Sequence, residues 1–167
     1  MIYTHVIWTT YLNWLPSDNR GSWEELSELY SSLSSDFVVE FIKPLHHRYM
    51  NKTNINSVSL SDIDRKVIRE SIIELSEENG DRIAGGLKTV AIGIGKTEVH
   101  ILARGNISEI KEKISRLKSR SATLLNVSHE SVSSSASNTW SKGLWSVEFN
   151  EHEEIFKIKQ YINAKNT

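Results

Sequence analysis

The sequence predicts an α+β fold, an antiparallel β-sheet with helices packed against it. Three observations carry this. A hairpin pattern stands mid-chain: Leu87 to Ile94, then Gly95-Lys96, then Thr97 to Ala103, with Val99 and Ile101 alternating against Glu98, His100 and Leu102. Runs rich in β-branched and aromatic residues lie towards both ends, Ile2 to Trp8 and Trp145 to Phe149. Between and after them, apolar residues recur at three- and four-residue steps behind helix-capping residues.

Taken in order, Ile2 to Trp8 is the first strand. Trp23 to Leu33 reads as a helix with Leu26, Leu29 and Leu33 on one face. Phe37 to Ile42 reads as a strand that Pro44 breaks, and His46-His47-Arg48-Tyr49 follows. Asn51 to Ser59 has the polar composition of a linker. Ser61 to Glu78 is a helix: Ser61 and Asp64 form a capping pattern, Ile63, Val67, Ile68, Ile72 and Leu75 form the stripe, and Asn79-Gly80 ends it. After the hairpin, Asn106 and Glu109 cap a helix running to Asn126. Its stripe is Ile107, Ile110, Ile114, Leu117 and Leu124, with Ser121 in the gap. Val127 to Ser141 is Ser-rich and reads as a loop, and Glu151 to Ala164 as a last helix with Ile155, Ile158 and Ile162 inward. No internal repeat is visible, and 167 residues suit a single domain spanning 1–167.

The composition, 38% hydrophobic and 25% charged, is that of a soluble protein. The absence of cysteine excludes disulfides, thiolate zinc sites and cysteine nucleophiles, and suits an intracellular, cytoplasmic protein. No apolar run reaches transmembrane length and no signal pattern opens the chain, so no membrane partner is expected. A net charge of −1 argues against a global electrostatic field for nucleic acid, so any such binding must use a local basic patch.

Thr9 to Trp23 is the segment with the most unusual wording. Pro16, Asp18, Asn19 and Gly21 are turn chemistry, yet Tyr11, Trp14 and Trp23 stand among them with Arg20. Residue types alone favour a local aromatic cluster that pins the loop to the core. Flat rings beside a guanidinium also suit the stacking of unpaired bases.

The string Thr-Tyr-Leu-Asn-Trp-Leu-Pro-Ser-Asp-Asn-Arg-Gly-Ser-Trp at 10–23 resembles the opening of the REP-associated tyrosine transposases, relatives of the single-tyrosine HUH transposases of small insertion sequences. It departs from their pattern at Leu12, Asn13, Ser17 and Ser22. Further segments resemble the family in order: Glu98-Val99-His100-Ile101-Leu102, Leu117-Lys118-Ser119-Arg120-Ser121, Thr139-Trp140-Ser141-Lys142-Gly143 and Tyr161-Ile162-Asn163. The resemblance thus covers most of the chain. It implies a ferredoxin-like, HUH-type sheet, single-stranded or hairpin DNA as partner, and a homodimer in which the tyrosine-bearing helix packs, in some members, on the partner's metal site.

It also implies site residues. Alternation places Glu98 and His100 on one sheet face, where a carboxylate and an imidazole are able to share a divalent metal; a satisfied polar pair is the simpler reading of the residues alone. The family has His-hydrophobic-His at this place, holding Mg²⁺ or Mn²⁺ on the scissile phosphate. His100 matches the second ligand and Glu98 replaces the first. Tyr161 matches the nucleophile, which forms a 5′-phosphotyrosine and frees a 3′-hydroxyl; a lone helical tyrosine is otherwise a packing residue. The family's third ligand, four residues later, is Lys165 here. Charged lysine has no lone pair for a metal but is able to contact a phosphate.

The polar side of the 107–126 helix carries Lys113, Arg116, Lys118 and Arg120, with Lys111 beside them, offset by Glu109 and Glu112. This is a solvated charged face or a phosphate-binding one. Three readings follow: an active nicking and rejoining enzyme using Tyr161 and a metal at Glu98 and His100; a catalytically dead descendant that keeps the DNA surface; and a domain repurposed for protein contacts. Two of the family's three metal positions, at Glu98 and Lys165, depart from its pattern here, which weighs against the first reading, and His46, His47 and Glu154 stand as candidate replacement ligands.

Overall fold

The computed structural model describes residues 1–11, 13, 15–16, 23–33, 39–40, 58–77, 87–128, 139–150 and 152–166. Its elements are β1 (Tyr3–Thr9), α1 (Glu24–Ser31), β2 (Val39–Glu40), α2 (Asp62–Glu77), β3 (Lys88–Ile94), β4 (Glu98–Arg104), α3 (Ile107–Ser128), β5 (Trp145–Phe149) and α4 (His152–Ala164). All five strands join one sheet in the order β2-β5-β1-β4-β3, and every pairing is antiparallel. The chain therefore adopts the predicted α+β class. With α1, β2 and α4 set aside, β1-α2-β3-β4-α3-β5 is a βαββαβ unit with its strands ordered β5-β1-β4-β3, the ferredoxin-like arrangement.

Both faces of the sheet are covered. Val6, Trp8, Val99, Ile101 and Ala103 point to one side, where Ile68 and Ile72 of α2 and Ile110, Ile114 and Leu117 of α3 close over them. Tyr3, Ile7, Leu102, Trp145, Val147 and Phe149 point to the other, under Leu26 of α1 and Ile158 and Ile162 of α4. That is why every residue of β1 is buried. A strand covered on both sides must be apolar throughout or have partners for its polar groups.

The caps form as predicted. Ser61 N donates to Asp64 Oδ2 at 2.8 Å and Asp64 N to Ser61 Oγ at 3.2 Å, a reciprocal capping box opening α2. Asn106 Oδ1 accepts from Glu109 N at 3.0 Å, and the Glu109 carboxylate returns to the Asn106 side-chain amide at 2.9 Å. Glu148 of β5 adds a carboxylate at the Ile107 amide, where the helix dipole favours negative charge.

Two stripe residues depart from the prediction. Ile63 is 71% exposed, because it lies roughly half a turn from Ile68 and Ile72, which face the sheet. Leu124 is 40% exposed and Leu125 is buried in its place, one step further round the helix. Of the predicted strand 37–42, residues 39 and 40 form β2 on the edge of the sheet, and the remainder lies outside the described residues. Among the described residues, no helix is long and apolar enough to cross a membrane.

The seating of α4 matters for the site. A Cβ on Gly93 of β3 would stand 2.2 Å from the Ile162 carbonyl oxygen, so this helix lies against bare strand backbone. Just past α4, Asn166 accepts from Ile94 N at 3.1 Å and donates to Ile92 O at 2.8 Å. Its side-chain amide serves as a short strand partner for the outer edge of β3. Strand and helix end are thereby fixed to each other at Ile162 and Asn166, the residues that follow Tyr161 and Lys165.

Candidate functional site

Strand alternation sends His5 of β1 and Glu98 and His100 of β4 to the α1/α4 face. His100 lies opposite Ile7 and His5 opposite Leu102, which makes the two histidines diagonal neighbours. Both are fully buried. His5 Nε2 lies 3.1 Å from His100 Nδ1, and His5 Nδ1 lies 2.6 Å from the Tyr30 hydroxyl of α1.

Each of those contacts accommodates one proton, so two neutral arrangements satisfy the chain. Either Tyr30 donates to His5 and His5 to His100, leaving a hydrogen on His100 Nε2, or the donors run the other way and Nε2 is a bare lone pair. In both, Nε2 has no hydrogen-bond partner among the described residues. Burial holds His5 neutral, with its pKa lowered to about 3. Burial, then His5, then the charge of Lys165 push His100 well below the ordinary histidine value. Burial raises the Tyr30 phenol far above its usual range, and the nearby Tyr161 and Glu154 add to the effect.

Aromatic rings enclose the pair. Trp145 stands edge-on to His5 at 5.7 Å, Tyr161 edge-on to His100 at 5.7 Å, and Trp23 is tilted over His100 at 6.2 Å. Tyr161 reaches this position because Glu154, Ile158, Tyr161 and Lys165 recur at three- and four-residue steps, and Ile158 and Ile162 dock that face on the sheet. Lys165 Nζ sits 4.7 Å above the Tyr161 ring and 2.7 Å from Glu25 Oε2 of α1. Burial raises the Tyr161 phenol above its ordinary value against the opposing pull of the Lys165 charge and hydrogen bond, so it stays protonated at neutral pH. Burial opposes the Lys165 charge, but bonds to Glu25 and Tyr161 outweigh it, and the ammonium is held above its usual range.

Glu98 is half-buried at the hairpin end. Thr97 Oγ1 donates to its Oε2 at 2.6 Å, and its carboxylate folds over Gly95, where a Cβ would meet Oε1 at 2.6 Å. Its charge is felt at Tyr161. As a cradle for Mg²⁺ or Mn²⁺ this set falls short. The unpartnered His100 Nε2 and the Glu98 carboxylate are two donors, and no group of three metal-ligating side chains occurs among the described residues. A hard divalent ion wants more oxygen ligands than that, and the Lys165 ammonium would repel it. Glu154 is buried on α4, while His46 and His47 lie outside the described residues.

The basic helix is less available than its sequence suggests. Lys118 turns inward and donates to the carbonyls of Ser141 at 3.0 Å and Gly143 at 2.8 Å, and burial lowers its pKa to about 8. Trp140 Nε1 completes this knot by donating to Lys118 O at 3.0 Å. Arg116 pairs with Glu112 and Arg120 with Glu74 of α2, each at 2.5 Å. Lys113 is half-buried and engaged. Lys118 is thus a tie between α3 and the 139–143 loop. Lys118→Met is expected to cost about 2 kcal/mol, the scale of hydrogen bonds from a charged donor, read as a lower urea midpoint.

The opening loop divides. Thr10 Oγ1 donates to Val58 O at 2.5 Å, Tyr11 N donates to Thr139 O at 2.9 Å, and Ser141 Oγ donates to Thr10 O at 2.9 Å. Its first residues therefore lace the end of β1 to two other segments, at Val58 and in the 139–143 loop, and Tyr11 stands half-buried there. Trp23 belongs instead to the His100 side. Trp14 and Arg20 lie outside the described residues.

The structure brings together His100, Tyr161, Lys165 and Trp23, with Glu98 close by, and leaves Arg116 and Arg120 of α3 in ion pairs and Lys118 in loop contacts. His5, Tyr30 and Trp145 were not singled out from sequence. The usable signal for His5 was its place inside a strand of otherwise apolar and β-branched residues, where a buried imidazole needs partners. Comparison of the chain with protein-family models, curated proteins and solved structures finds no match.

Proposed function

We propose that this protein binds single-stranded or hairpin DNA on a single-tyrosine HUH-type framework, and that it binds without cutting. One observation carries the reading: Tyr161, on the last helix, faces His100, on an inner strand, with ring centroids 5.7 Å apart. These are the two positions that the sequence resemblance assigns to nucleophile and metal ligand, far apart in the chain, and they meet. Trp23, the end of the loop carrying the strongest resemblance, closes on the same histidine.

Binding is favoured over nicking for reasons in the same place. A tyrosine nucleophile needs a lowered pKa or an adjacent base, and burial moves the Tyr161 phenol the other way. His100 is neutral, but no hydrogen bond joins its Nε2 to Tyr161. The third ligand position is a cation. What the site retains is a ring for stacking, a phenol, an ammonium and an unpartnered imidazole nitrogen, a set that suits a base and its phosphate.

The test is retention of a labelled pool of single strands and hairpins, followed by denaturing electrophoresis after incubation with Mn²⁺. Retention that weakens as salt rises, with no covalent adduct, is the expected result. An adduct that disappears in Tyr161→Phe would establish the nicking reading in its place. Absence of retention would move the protein to the protein-contact reading. The homodimer implied by the resemblance belongs to this proposal as well, and sedimentation of the free protein measures it.

A further inference from the structure

We propose that the Lys165 ammonium clamps a nucleic-acid phosphate without a divalent metal, and that Glu25 occupies this clamp until a phosphate displaces it. The inference rests on the DNA-binding reading and deepens it.

The geometry is specific. Lys165 Nζ lies over the Tyr161 ring at 4.7 Å and holds Glu25 Oε2 at 2.7 Å. Glu25 comes from the first turn of α1, two residues after Trp23, whereas Lys165 follows α4. The pair therefore bridges the two helices that cover the His100 face. A carboxylate on an ammonium is the arrangement a phosphate oxygen would adopt on the same cation, with a similar charge-assisted bond. The Glu25 side chain is largely exposed, so its ion pair contributes little stability and gives way readily.

Behind the clamp the site is already built for a ligand. His100 Nε2 is buried without a hydrogen-bond partner among the described residues, next to the Tyr161 ring. A buried ring nitrogen left unbonded is costly unless something completes it. Tyr161 offers its hydroxyl beside Lys165, and Trp23 offers an aromatic surface to the base attached to that phosphate. An ammonium supplies fixed positive charge to a phosphate as a divalent ion does, without needing carboxylate and imidazole ligands of its own. The shortage of metal ligands among the described residues and the presence of Lys165 are then one design: the cation is covalently attached.

Glu25 adds control. With the carboxylate seated, the clamp is neutralised, and a strand binds only by displacing it. This lowers affinity for isolated anions and favours ligands that also engage Trp23 and Tyr161.

The experiment measures fluorescence anisotropy of a labelled mixed-sequence single-strand pool, in excess EDTA, with wild type, Lys165→Met and Glu25→Gln. Circular dichroism confirms that each variant is folded. Wild-type binding should be unchanged by EDTA. Lys165→Met should weaken it about tenfold, the loss of one charge-assisted bond, and reduce the salt slope by about one. Glu25→Gln should tighten it about threefold. Binding that requires Mg²⁺ or Mn²⁺, or that survives Lys165→Met with an unchanged salt slope, overturns the clamp and leaves the DNA-binding reading standing. An unchanged affinity in Glu25→Gln overturns the role of Glu25. No binding by the wild type to any strand overturns the clamp and the DNA-binding reading together.

Discussion

Gly93→Ala should destabilise the protein by about 3 kcal/mol, the upper range for an overpacked contact, because the added Cβ would meet the Ile162 carbonyl oxygen at 2.2 Å. The obstacle is backbone, not the flexible end of a side chain, so neither partner yields without moving a whole element. The element free to move is α4, which carries Tyr161 and leads directly into Lys165. The damage should therefore be local in pattern. Amide hydrogen exchange in α4 should accelerate, while α2 and α3, on the opposite face of the sheet, keep their protection. Urea unfolding measures the energy and exchange measures the place. A change within about 0.5 kcal/mol would show that α4 is not seated as described.

Acid should unfold the protein through its buried histidines before most carboxylates titrate. His5, with its pKa lowered to about 3, and His100, pushed well below its ordinary value, bind fewer protons folded than unfolded. For groups depressed in this way, the stability contribution is complete above the unfolded value near 6.5 and is lost as pH falls towards the folded values. Each histidine costs about 1.4 kcal/mol per pH unit inside that window. From pH 7.5 down to about pH 5, His5 alone should remove about 2 kcal/mol and His100 should add to the loss in the same direction, read as a falling urea midpoint at constant slope. His5→Gln should reduce the pH dependence by about 2 kcal/mol over that range. Stability unchanged between those pH values would mean that the histidines are hydrated or already charged in the folded protein.

Local chemistry made most of the fold legible. The hairpin announced itself by alternation around Gly95-Lys96, and both helix caps are contained within four residues, Ser61 to Asp64 and Asn106 to Glu109. Ile63 and Leu124 misled because apolar residues off the buried face satisfy the same three- and four-residue counting as those upon it, and only the direction of the sheet separates them. The site was partly legible. Glu98 and His100 share a face because strands alternate, but nothing local indicates that His100 bonds a histidine 95 positions away. Lys118 shows the converse. It looked like one cation in a basic row, and its partners are backbone carbonyls of a loop, groups present at every residue and invisible to residue type. The cluster of His5, His100, Tyr30, Trp23 and Tyr161 depends on strand order and on how α1 and α4 are seated, both of which are tertiary facts.

The proposed DNA site is the face where His100, Tyr161 and Lys165 meet. Its most direct test is amide hydrogen exchange of the protein alone and saturated with a strand selected from the retained pool. New protection is expected at the start of α1 and the end of α4, around Glu25 and Lys165, with α2 unchanged. Protection confined to α3, or none in α1 and α4 at saturation, would contradict it.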